Sequence, residues 1–166
     1  DAETLDIAIK AALTGHLVLS TLHTNDAPST VIRLRDMAEP YLVAASLQLV
    51  AAQRLVRKLC TACRKPVDVP EATLKKLEFT PTSETRFHVA KGCDACNNTG
   101  FKGRFAIIEA MTADDAMRDL ISREADVLTL RRHAVEKGGM ISLRQDGLIK
   151  AARGLTSVEE VLTVTG

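Results

Sequence analysis

The sequence predicts an α/β protein with three parts: an incomplete parallel sheet, a cysteine-bearing insert and a helical tail. Three observations predict it. Leu17, Val18, Leu19 and Leu22 make a run that reads as a strand buried on both faces, the pattern of a parallel sheet covered by helices. All four cysteines fall in two Cys-x-x-Cys pairs inside a stretch where Pro, Thr and Gly replace periodic apolar residues. Beyond that stretch, helical spacing returns and is punctuated by glycines. Few other strands are available to flank the first, and the chain opens Asp1-Ala-Glu-Thr4 without an initiator Met, so it reads as a piece of a longer protein.

The elements follow in order. Leu5, Ile9, Ala12 and Leu13 fall at helical spacing, with Gly15 placed to end the helix. After the apolar strand, Asn25 or Asp26 can cap a helix that has Pro28 in its first turn. Pro40 opens the next helix, for which Leu42, Ala45, Leu49, Ala52, Val56 and Leu59 supply one long apolar stripe. Residues 60–104 form the insert, with a short amphipathic piece between Glu71 and Phe79. Phe105 to Ala110 reads as a second strand, and Thr112 with Asp115 as a capping box that starts the helical tail. Two further helices end at Gly138-Gly139 and at Gly154, and Ser157 with Glu160 starts a short last one. The expected division is 1–59, 60–104 and 105–166.

Composition narrows the function classes. With 46% hydrophobic and 26% charged residues, 166 residues suffice for one core and a small satellite module. The 22 basic and 21 acidic side chains nearly cancel, and aromatic residues make up 3% with no Trp, so nucleic acid is not an expected partner. No apolar run approaches the roughly 20 residues that span a bilayer. Direct membrane insertion is not expected.

Cys60-Thr-Ala-Cys63 and Cys93-Asp-Ala-Cys96 are separated by 29 residues. Two such pairs can supply a tetrahedral zinc site, because each short loop turns both sulfurs toward one ion. The alternatives are two disulfides or four reduced thiols. Nothing in the sequence indicates secretion, and the linker-rich setting does not match a redox-active thioredoxin motif. Four thiolates close the coordination shell, so Cys60, Cys63, Cys93 and Cys96 are expected to hold a structural zinc, with no open position for catalysis. The second pair also resembles the zinc repeats of J-domain chaperones. Those proteins use more repeats, with glycine just after the second Cys, where this chain has Asn97 and Asn98.

The apolar strand runs into His23-Thr24-Asn25-Asp26. Ligands of open α/β sheets bind outside the carboxyl ends of the strands, and a loop feeding a helix N-terminus is a common way to address phosphate. Alone, His23 has an equally ordinary reading as a loop-end residue that finds a backbone carbonyl.

Taken together, Asp1-Ala-Glu-Thr4, the block from Ala11 to Ala27, Gln53-Arg-Leu-Val-Arg57, both cysteine pairs, Gly100-Phe-Lys-Gly-Arg104 and the tail from Gly154 to Glu160 resemble the hexameric secretion ATPases of type II secretion and type IV pilus assembly. The resemblance covers essentially the whole chain. It implies the C-terminal part of a RecA-like ATPase domain, followed by the zinc insert and a helical subdomain. It places the two histidines of the family's His box on His16 and His23, with His23 near the terminal phosphate. Asp1, Glu3 and Thr4 match the trailing edge of the acidic Walker B region. Thr24, Asn25, Arg54 and Arg57 become nucleotide-proximal candidates, and Arg33, Arg35, Arg54 and Arg57 are candidates for phosphate or subunit contacts, with solvated helix faces as the alternative for each.

No Gly-x-x-x-x-Gly-Lys-Ser/Thr loop occurs in the chain. The fragment alone is therefore expected to be inactive, while the parent would use ATP and Mg²⁺. The resemblance further implies a homo-hexamer in the cytoplasm, peripheral to the inner membrane, that works a platform protein there. The tetracysteine insert favours assembly or secretion over retraction. The competing reading is a zinc-stabilised protein-interaction module without nucleotide chemistry.

Overall fold

In the computed structural model, which describes residues 2–166, the chain forms two compact units. One takes the chain to Ala52 and resumes from Glu109 to Ile141; the other holds Gln53–Ile108 and Ser142–Gly166.

The first unit begins with α1 (Ala2–Leu13), which ends as expected at Gly15, whose φ of 90° suits a residue without Cβ. Residues 16–24 then form no strand. Leu17 and Leu19 are 87% and 86% exposed, which corrects the doubly buried strand expected here. A strand exists only where a neighbour takes its backbone hydrogen bonds, and no described residue pairs with this segment in a ladder. Next come α2 (Ala27–Arg35) and α3 (Pro40–Ser46).

The stripe read as a single helix to Leu59 breaks at Ser46, and Leu49–Leu59 is a strand, β1. Val50, Ala52, Val56 and Leu59 are its buried residues, a spacing that drifts between two and four. That drift imitates a helix in sequence. The ladder offered by a distant partner overrides local preference here.

In the second unit, β2 (Lys65–Pro66) is followed by α4 (Glu71–Lys76) and pairs antiparallel with β3 (His88–Val89). A short 3-10 helix spans Asp94–Cys96. The partner of β1 is β4 (Phe101–Thr112), longer than the Phe105–Ala110 expected. Cys60 N–H donates to Gly100 at one end of this ladder and Ala113 N–H to Gln48 at the other, so the two strands run in opposite directions. No parallel ladder occurs among the described residues.

Four helices follow β4. They are α5 (Asp115–Ser122), α6 (Val127–Glu136), α7 (Leu143–Ala152) and α8 (Val158–Thr165). These helices divide between the units: α5 and α6 pack with α2 and α3 in the first, and α7 packs on α8 in the second. The cap of α5 is Asp114, which accepts from Met117 N–H, in place of the expected Thr112 with Asp115. Ser157 caps α8 as expected, accepting from Glu160 N–H, but the Glu160 carboxylate turns elsewhere.

Each unit has its own apolar core. Val31, Val43, Met111, Met117, Ile121 and Leu130 centre the first; Leu74, Phe87, Leu148, Ala151 and Val161 centre the smaller second. No described helix is long and apolar enough to cross a membrane.

Candidate metal centre and histidine loop

The two cysteine pairs meet in the second unit because the backbone joins them. Cys60 N–H donates to the carbonyl of Gly100, just past the second pair, and so brings the first pair alongside it. Cys63 and Arg64 N–H groups fold back onto the Cys60 carbonyl, closing the first knuckle. The second knuckle closes through left-handed Asn97 and Asn98, with φ of 52° and 59°, residues that tolerate this region better than most.

All four Sγ atoms lie within 4.8 Å of one another. The Cys60–Cys93, Cys63–Cys96 and Cys93–Cys96 separations are 3.9, 3.9 and 3.8 Å. A tetrahedral zinc with Zn–S bonds of about 2.3 Å requires sulfurs about 3.8 Å apart. A disulfide needs about 2.05 Å. The geometry fits a four-thiolate site and none of these three pairs is bonded.

The chemistry of the donor set agrees. Cys96 Sγ accepts the N–H groups of Cys93 and Gly100 at 3.3 and 3.2 Å. Burial raises the Cys96 thiol, but these two N–H groups together with the neighbouring Cys93 and Cys63 thiols outweigh it and draw the thiol down to about 6. Burial and its thiol neighbours push Cys93 up to about 11. A bound cation would favour the thiolate at every position.

Glu160 was not foreseen as part of this unit's scaffold. Its side chain is 5% exposed and accepts the backbone N–H of Arg57 at 2.9 Å, together with Arg57 Nε at 2.9 Å and Nη2 at 2.5 Å. The Arg57 guanidinium also lies 4.1 Å from the centroid of Phe101. Arg57 therefore ties β1 to α8 and to the start of β4. Arg54 lies exposed on the same strand.

The histidine loop belongs to the first unit. His23 and Asn25 are exposed, and His16 is exposed with Nδ1 3.2 Å from Thr14 Oγ1. Thr30 Oγ1 donates to the Asp26 carbonyl at 3.0 Å and accepts from Thr24 Oγ1 at 2.6 Å, which fastens the loop to the first turn of α2. Asp26 caps that helix through Ser29 N–H at 2.8 Å. Glu109, 1% exposed on β4, accepts the Ala27 N–H at 2.9 Å. Arg131 of α6 lies 3.1 Å from Asp26 and 3.8 Å from Glu109.

Two carboxylates thus occupy the N-terminus of α2 and take the N–H groups of Ala27 and Ser29. Glu109 was legible in principle: it shares the buried register of Ile107 and Met111, where an acidic residue needs a partner.

Glu3 and Thr4 are exposed on the first turn of α1, and Asp1 lies outside the described residues. Arg35 donates to the Ala125 carbonyl at 2.9 Å, while Arg33 sits 3.9 Å from Asp36.

Comparison with known proteins agrees on one family. The family described as "Type II/IV secretion system protein" matches residues 1–163. The chain is 48% identical to the Type II secretion system protein E of Pseudomonas aeruginosa over 99% of its length and 33% of that protein. It is 49% identical to the Type IV pilus assembly ATPase PilB of Myxococcus xanthus over 98% of its length and 29% of that protein. The chain therefore spans about a third of the length of these relatives. The X-ray structure of the Legionella pneumophila ATPase DotB superposes with a TM-score of 0.63 at 22% identity, over 98% of this chain and 35% of that one. That likeness extends the agreement to the fold. A match across almost every residue, with identities near one half, places the chain in the type II/IV secretion system protein family.

Proposed function

We propose that this chain is the C-terminal part of the cytoplasmic ATPase motor of a type II secretion or type IV pilus assembly machine. The observation that carries the reading is the 48–49% identity, over nearly the whole chain, to a type II secretion protein E and to a pilus assembly ATPase. In this reading residues 1–59 continue a RecA-like core, 60–104 are the zinc insert and 105–166 the helical subdomain.

His23, with His16, serves as the His box that senses the terminal phosphate. Glu3, Thr4, Thr24, Asn25 and Arg54 lie toward nucleotide. Arg57 can join them only by giving up its contacts to Glu160, so its first role is structural. The phosphate loop, its lysine and the Walker B glutamate are supplied by the remainder of the parent, and 166 residues without them do not turn over ATP.

Cys60, Cys63, Cys93 and Cys96 would hold the metal, which when bound supplies a rigid cross-link and no chemistry of its own. The parent assembles as a homo-hexamer, peripheral to the inner membrane through a platform protein, and the insert offers a firm surface for docking.

Deleting the parent gene tests this reading and also separates its two branches. Loss of secreted proteins from the medium assigns type II secretion, and loss of surface pili assigns pilus assembly, each restored by the wild-type gene. A deletion strain that keeps both would overturn the proposal.

A further inference from the structure

We infer that Glu109 and Arg131 are positioning residues for the histidine loop, fixing where α2 starts and hence where His23 stands. The inference rests on the motor reading given above and adds to it two residues far from the loop in sequence.

The first N–H groups of a helix have no partner within it. In α2 they are satisfied from two sources: Asp26 takes Ser29 N–H locally, and Glu109 takes Ala27 N–H from β4 across 82 positions. The second bond is buried, with Ala27 fully inaccessible and Glu109 nearly so. A buried carboxylate needs a countercharge, and Arg131 supplies it while also reaching Asp26. One guanidinium from α6 therefore spans both carboxylates that hold the head of α2.

The loop is fastened to that same helix turn. His23 is exposed, Thr24 bonds Thr30, which donates to the Asp26 carbonyl, and Leu22 before them packs against the core. Any shift of that turn carries the loop with it. A misplacement of about 1 Å can lower a rate roughly a hundredfold without touching the reacting groups.

The experiment is a double-mutant cycle in the full-length parent, measuring kcat and KM for ATP in wild type, Glu109→Gln, Glu109→Ala, His23→Ala and the two combinations with His23→Ala. Zinc content and melting temperature serve as integrity checks. The expected result is a fall in kcat of about tenfold or more for Glu109→Ala, with KM within about twofold. Glu109→Gln keeps an acceptor for Ala27 N–H and should be milder, and it remains informative if the alanine variant fails to fold.

Because Glu109 acts through His23, each combination should be no slower than His23→Ala alone. Losses that multiply, or Glu109 variants with wild-type kcat, overturn the positioning role while leaving the motor reading intact. A wild-type parent that does not hydrolyse ATP overturns both.

Discussion

Removing one sulfur from the metal centre should dismantle the insert. Cys96→Ser is the most informative change, because Cys96 Sγ is close to Cys63 and Cys93 and also accepts two backbone N–H groups. The observed separations of 3.8 to 3.9 Å match the edge of a zinc tetrathiolate, so the metal can bind without moving the backbone. Structural zinc in such sites contributes about 10–16 kcal/mol at neutral pH. A whole domain is typically stable by about 5–15 kcal/mol.

The stretch 60–104 has little apolar reserve of its own, since among the described residues Leu74 and Phe87 are the only buried members of the core cluster that it contributes. Loss of the metal should therefore unfold that stretch. The assay pairs metal analysis with limited proteolysis of the full-length parent. Wild type should carry one zinc per chain and resist cleavage between Cys60 and Arg104. Cys96→Ser, or wild type treated with a strong chelator, should lose the zinc and be cut there. Full zinc content with an unchanged melting curve in Cys96→Ser would refute the tetrathiolate reasoning.

Two further outcomes follow from the same unit. The hydrogen bond from Arg57 holds the Glu160 carboxyl below the usual carboxylate range, against the effect of burial. Its stabilising contribution is therefore complete above the unfolded value of about 4.3 and is lost as pH falls through the lower folded value. Glu160→Gln should flatten that acid limb in thermal melts and, discounted for the exposed Arg57, lower stability at pH 7 by about 1–2 kcal/mol; an unaltered acid limb would contradict the ion pair. Gly100 has a φ of 76°, and a Cβ there would lie 2.6 Å from Ala90 Cβ. Gly100→Ala should thus cost about 1–3 kcal/mol and weaken zinc retention in a competition titration against a chromophoric chelator.

The four-cysteine cluster was legible in the sequence because each half of it is local. Each Cys-x-x-Cys closes within one turn, and only the meeting of the two turns needed the fold. Helix boundaries at Gly15, Pro40 and Gly154 were legible for the same reason. What misled was periodicity without a partner. Leu17, Val18 and Leu19 carry the composition of a buried strand, but composition supplies no neighbour for the backbone. Residues 49–59 carry a helical stripe, yet pair with β4 some fifty positions away. Glu109, Arg131 and Glu160 escaped because their roles depend on contacts with Ala27, Asp26 and Arg57, 82 to 105 positions apart, which no local pattern encodes. Only Glu109 left a trace, as a charge in the buried register of a strand.

ATP turnover by the full-length parent, with and without His23→Ala, tests the motor account most directly. The account predicts steady hydrolysis by the wild type and a clear fall in kcat for the variant, while nucleotide binding and zinc content stay as they were. A parent that neither binds nor cleaves ATP would contradict it, and the tetracysteine insert would then be the core of a zinc-stabilised interaction module.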